Sequence, residues 1–138
     1  MAYPNEKIQQ RWIQDKVDDA AVNWAKSFGE FLQSNENQSS PLTTSQIRKF
    51  FGELKRIQAD PEKYQDDVPL LKAKLAYAVG RETTSNYGKI FCRTKIKEFY
   101  EELEKGINFI RPNEKKDLLN FVKLIEAIVA YHKYFGGK

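Results

Sequence analysis

Histidine, cysteine and closely paired carboxylates are the side chains that carry most acid–base, nucleophilic and metal chemistry. This chain has one of each of the first two, His132 and Cys92. That is too few ligands for a Cys/His zinc site, and no intramolecular disulfide can form. The phosphate loop GxxxxGK[ST], the HExxH zinc pair, the DxDxDG calcium loop and the GxSxG nucleophile elbow are all absent. His132 follows Ile128 by four residues on a predicted helix, at the edge of its apolar stripe. That position suits a structural or ligand-facing imidazole better than a general base. Asp66 and Asp67 precede another predicted helix, where capping and the positive end of the dipole explain them better than metal binding. The residue types therefore predict a non-enzymatic chain with no cofactor, metal or small-molecule substrate.

The cations are more informative. The net charge is only +4, but residues 1–40 sum to −2, and residues 70–97 hold seven Lys/Arg against the single acid Glu82. A lysine that serves only solubility or helix support usually has an acid three or four residues away. Arg11, Lys16 and Lys26 have such partners in Asp15, Asp19 and Glu30. Arg48, Lys55, Lys72, Lys74, Arg81, Lys89 and Arg93 have none at that spacing. At 3.6 residues per turn Arg48, Gly52 and Lys55 share one flank of a helix, and Lys74, Tyr77 and Arg81 share a face roughly 10 Å long. Such a face matches successive phosphates, with Tyr77 placed to stack on a base or sugar, or else to cover core. Gly52 costs about 1 kcal/mol against alanine inside a helix, which points to close approach of a partner or to tight helix packing.

These residues need elements to hold them, and the periodicity is helical nearly throughout. A first segment runs from about Asn5 to Leu32, with Ile8, Trp12, Trp24, Phe28 and Phe31 on its stripe. The polar stretch at 34–42 follows as a loop. Thr43 and Gln46 have capping-box spacing and open a second helix striped by Ile47, Phe50, Leu54 and Ile57. A third helix is expected from Asp67, as cap, to Gly80. A fourth is expected from about Tyr87 to Lys105. Lys89, Arg93 and Lys97 would ridge its first half and Glu98, Glu101, Glu102 and Glu104 its second. That charge order opposes the helix dipole at about 0.3–1 kcal/mol per well-placed charge, so an anionic ligand or an acidic protein patch would have to compensate. A fifth helix, opened by Pro112 and Asn113, is apolar on more than one face and should be central.

The expected architecture is all-α, a compact bundle of about five helices with no sheet. Residues 1–138 form a single domain, with an N-terminal helix over 1–33, a loop over 34–42 and a helical core over 43–138. With 13% aromatics a disordered chain is excluded. The N-terminus MAYPNEKIQQRW carries no leader-like apolar run, and no membrane-spanning segment occurs, so a soluble cytoplasmic protein is expected.

Three stretches, LTTSQIRKFFGELKRI (42–57), LLKAKLAYAVGR (70–81) and NFVKLIEAIVAYHKYFGG (120–137), give the chain a resemblance to a known family. Over residues 42–138 it resembles the small subunit of type III-A CRISPR–Cas (Csm) effector complexes. The resemblance implies a non-catalytic helical subunit that stacks in several copies along a ribonucleoprotein filament, beside backbone subunits. It also implies contact with the target RNA paired with the guide, through Arg48, Lys49, Lys74, Tyr77 and Arg81, and more weakly His132 and Lys133. The unpaired cations Lys55, Lys89 and Arg93 extend that set, while Lys49 has Glu53 four residues on. The competing reading is a helical adaptor whose basic face meets an acidic protein surface. A helix-turn-helix DNA reader fits less well, because most helix links here are long or broken by proline.

Overall fold

Asp18 makes the first departure from that expectation. Its carboxylate accepts a hydrogen bond from the Ala21 N–H at 3.0 Å and caps a new helix, so the first amphipathic run breaks in two. The computed structural model describes residues 3–4, 6–35 and 39–138. Asn5, the expected start of the first helix, and positions 36–38 of the expected loop lie outside the described residues. In chain order the elements are α1 (Gln10–Gln14), α2 (Asp19–Leu32), α3 (Thr44–Ala59), α4 (Pro61–Tyr64), a 3-10 turn (Gln65–Asp67), α5 (Leu70–Glu82), β1 (Thr83–Asn86), β2 (Lys89–Cys92), α6 (Ile96–Asn108) and α7 (Lys115–Tyr134). The all-α class holds. The helices number seven among the described residues, not five, and a two-stranded hairpin is added to them.

α3 begins where its sequence predicts. The Thr43 hydroxyl accepts from the Gln46 N–H, and the Gln46 side chain accepts from the Thr43 N–H at 2.9 Å. Before α5, by contrast, Asp67 is no cap: its carboxylate receives Arg56 at 3.2 Å, and Pro69 occupies the cap position. Asp66 and Asp67 lie in the 3-10 turn, and no group of acids, histidines and cysteine able to hold a metal occurs among the described residues.

The hairpin replaces the first half of the expected fourth helix. Tyr87 and Gly88 have φ of 51° and 79°, the two left-handed residues of a type I′ turn, and β1 pairs antiparallel with β2 from Thr83↔Cys92 to Asn86↔Lys89. Lys89 and Arg93 therefore do not ridge a helix with Lys97. α6 starts at Ile96 with Glu98 in its first turn and Lys105 in its last, an order that the dipole favours.

α7 is the central helix, packed by α1, α2 and α3, while α5 lies against α6. The core runs through Trp12, Trp24, Phe28, Phe31, Leu54, Phe99, Phe121 and Ile125. The N-terminal segment thus supplies core. Gly29 lets α2 and α7 meet closely: a Cβ there would lie 2.9 Å from the His132 backbone nitrogen. The end of the polar loop is also fixed, because Ser40 bridges Thr94 in parallel and the buried Lys95 ammonium donates to the Ser39 carbonyl at 2.7 Å. No helix among the described residues is long and apolar enough to cross a membrane.

Candidate nucleic-acid interface

α3 and α5 each bring a face that mixes charged and apolar side chains to a shared cleft of about 410 Å³. Gln46, Lys49, Phe50 and Glu53 line it from α3, and Ala73, Lys74, Leu75, Tyr77, Ala78 and Arg81 line it from α5, with Ile96 of α6 completing the lining. Lys74, Tyr77 and Arg81, which share a face by helical periodicity, stand together here with Lys49. Tyr77 is 70% exposed, and the Arg81 guanidinium lies 5.9 Å from its ring centroid.

The cleft's one carboxylate, Glu53, is engaged from two directions. Lys74 reaches it at 2.8 Å across the helix pair and Arg56 at 3.3 Å from within α3. The hydrogen bond from Lys74 leads the interactions that hold Glu53 below the usual carboxylate range. Lys74, without a local acid in sequence, therefore gains one by tertiary contact. Lys49 has one in sequence, yet makes no ion pair among the described residues, because Glu53 turns to Lys74 and Arg56.

The remaining candidates fall elsewhere. Arg48 and Lys55 are exposed on α3 but do not line the cleft, and a Cβ added to Gly52 between them would meet nothing within 4 Å. Packing among the described residues thus gives no reason for Gly52. Lys89 is exposed on β2. Arg93, expected to be unpaired, meets Glu82 at 3.6 Å and donates to the Arg81 carbonyl at 3.0 Å. Lys72 donates to the Asn108 side chain at 2.8 Å.

His132 leaves the RNA-facing set. It is 1% exposed, with Nε2 at 2.6 Å from the Leu42 carbonyl. A carbonyl only accepts, so Nε2 carries the proton and donates. Burial holds the imidazole below its ordinary pKa, in keeping with the neutral form. Lys133 is exposed and reaches back to the Gly137 carbonyl at 3.4 Å.

Charge spacing alone does not identify Phe50, Glu53 and Ile96 as parts of the site. Phe50 and Ile96 read as ordinary core positions, and Glu53 as the i+4 partner of Lys49. It also misses the hairpin's Tyr87, Ile90 and Phe91, all exposed, although Asn86-Tyr87-Gly88 carries a turn signal.

Comparison with known proteins identifies the family. Residues 14–138 match the family model described as Csm2 Type III-A, so the match takes in α2 as well as the stretch from residue 42. The "CRISPR system Cms protein Csm2" of Streptococcus thermophilus is 27% identical over 127 residues, 88% of this chain and 96% of that protein. The protein of the same name from Enterococcus italicus is 30% identical over 104 residues, 68% of each chain. No solved structure gives a significant match. The chain belongs to the Csm2 family, the non-catalytic small subunit of type III-A CRISPR complexes.

Proposed function

We propose that this subunit stacks in several copies along the type III-A filament, beside the backbone subunits, and holds the backbone of the target RNA paired with the guide. The observation that carries the reading is the convergence of Lys49, Lys74, Tyr77 and Arg81 from two helices onto one cleft. Arg48 and Lys55 on the outer flank of α3, and Lys89 on the hairpin, extend the basic surface. Recognition is largely independent of sequence, since pairing with the guide already reads the bases and the protein need only meet phosphates and shape. Exposed Tyr87, Ile90 and Phe91 on the hairpin support burial of that end against a neighbouring subunit in an intracellular assembly.

Salt titration tests the RNA contact. Neutralising three or four phosphates per copy gives a log–log slope of about 2–3 in magnitude, or roughly 15–65-fold weaker binding at about 200 mM than at about 50 mM salt. Lys49→Glu and Arg81→Glu should lower target capture by assembled complexes without lowering the thermal stability of the subunit. Salt-independent binding, or normal capture by both variants, would remove this reading. Equal weak binding to RNA and to a generic polyanion, with no RNA in purified assemblies, would favour the acidic-protein adaptor.

A further inference from the structure

Cations on a helix face are enough to hold a phosphate backbone, and that task needs no recess. The α3–α5 surface nevertheless has one, walled by Phe50, Ala73, Leu75, Ala78 and Ile96. A phosphate cannot fill such a wall, because it would lose its hydration against groups that offer no hydrogen bond. The occupant must have apolar faces, polar edges and anions attached on either side. We propose that the cleft receives an unpaired nucleobase of the bound RNA, stacked against Tyr77, with its flanking phosphates on Lys49 and Arg81. This rests on the RNA-binding reading above.

The charge around the cleft matches that occupant. Lys49, Lys74 and Arg81 stand against one carboxylate, and Glu53 is already satisfied by Lys74 and Arg56. The ring of Tyr77 is exposed, and the nearby Arg81 guanidinium adds a second planar group for stacking. The Gln46 amide NH2, the Lys74 N–H groups not directed at Glu53, and Glu53 Oε1, which lies outside the ion pairs made by Oε2, offer both donors and an acceptor to a base edge, which tolerates any base. A volume of about 410 Å³ lies within the range of small-ligand pockets.

The test compares the full-length protein's affinity for two labelled strands of about 12 nucleotides, one of uridines and one stably abasic, with equal numbers of phosphates. The uridine strand should bind about 5–150-fold more tightly, the range that stacking of one base supplies. Ala78→Phe, which fills the cleft, and Tyr77→Ala, which removes the stacking face, should each bring the uridine strand down to the level of the abasic one. Lys49→Glu and Arg81→Glu should weaken both strands together. Circular dichroism establishes that each variant is folded, and Tyr77→Ala carries the test if Ala78→Phe is not. Equal affinity of the unaltered protein for the two strands would overturn the base-binding cleft while leaving phosphate binding intact. Failure to bind either strand would overturn the RNA reading and this inference with it. Undiminished preference for the uridine strand in Ala78→Phe, together with loss of that variant from assembled complexes, would assign the cleft to an acidic protein segment instead.

Discussion

Among single residues, His132 changes role most between sequence and structure. It is the only imidazole, and its four-residue spacing from Ile128 leaves open whether it faces core or ligand; the Leu42 carbonyl at 2.6 Å settles that in favour of the core. A histidine buried neutral has a folded pKa below its unfolded value near 6.5. The unfolded chain then binds more protons at low pH, so the stabilisation is fully present above the unfolded pKa and is lost as pH falls below it. The melting temperature should drop between about pH 7.5 and about pH 5.5, and His132→Gln, which keeps a donor but does not titrate there, should flatten the drop. Glu98, raised by burial, works in the opposite direction, so the comparison of the two proteins across pH is the informative measurement. Asp117 is a second buried group that spacing does not reveal. Its carboxylate accepts from the Arg111 N–H, Nε and Nη2 at 2.9–3.0 Å and locks the turn into α7. Asp117→Ala should cost about 1–3 kcal/mol by denaturant titration, the lower end being set by the half-exposed partner guanidinium.

At the level of elements, two glycines in helix interiors make opposite predictions. Gly29 sits where α2 crosses α7, and an added methyl would press on the backbone of His132 and Ile128 at 2.9–3.0 Å. Gly29→Ala should therefore destabilise by about 1–3 kcal/mol through overpacking. Gly52 faces open space, so Gly52→Ala should stabilise the isolated subunit by about 0.5–1 kcal/mol, the ordinary helix gain. Thermal unfolding of the two variants side by side checks both signs. The same scale shows where periodicity misleads. Lys89, Arg93 and Lys97 recur at four-residue intervals, yet Lys89 and Arg93 lie before the start of α6. The positive φ of Tyr87 and Gly88 belongs to a two-residue hairpin turn, and a helix cannot pass through it. The capping box of α3 is legible because all its hydrogen bonds lie within four residues. The break before α2 is not, because Asp18 reads as one more charge on a continuous amphipathic run rather than as a cap.

For the molecule as a whole, the described residues of the first third of the chain pack into the same core as the rest. Trp12, Trp24, Phe28 and Phe31 sit in the core, and Glu102 on α6, itself buried, accepts the Ile8 N–H at 3.1 Å and the Tyr3 hydroxyl at 3.2 Å. Deleting residues 1–33 should abolish cooperative unfolding by circular dichroism, rather than yield a stable core over 43–138. The sequence by itself determined the helical class, the central position of α7, the start of α3 and the family, because periodicity, caps and motif order are local properties of the chain. It also placed Lys74, Tyr77 and Arg81 on one face, since successive turns of one helix need no partner. Only the tertiary structure decided that Lys49 stands across from that face, that Glu53 serves Lys74, that His132 is buried and that a cleft lies between α3 and α5. Each of these depends on how two elements far apart in sequence dock, and docking is set by complementary side-chain shape across the core, which no spacing within one element encodes.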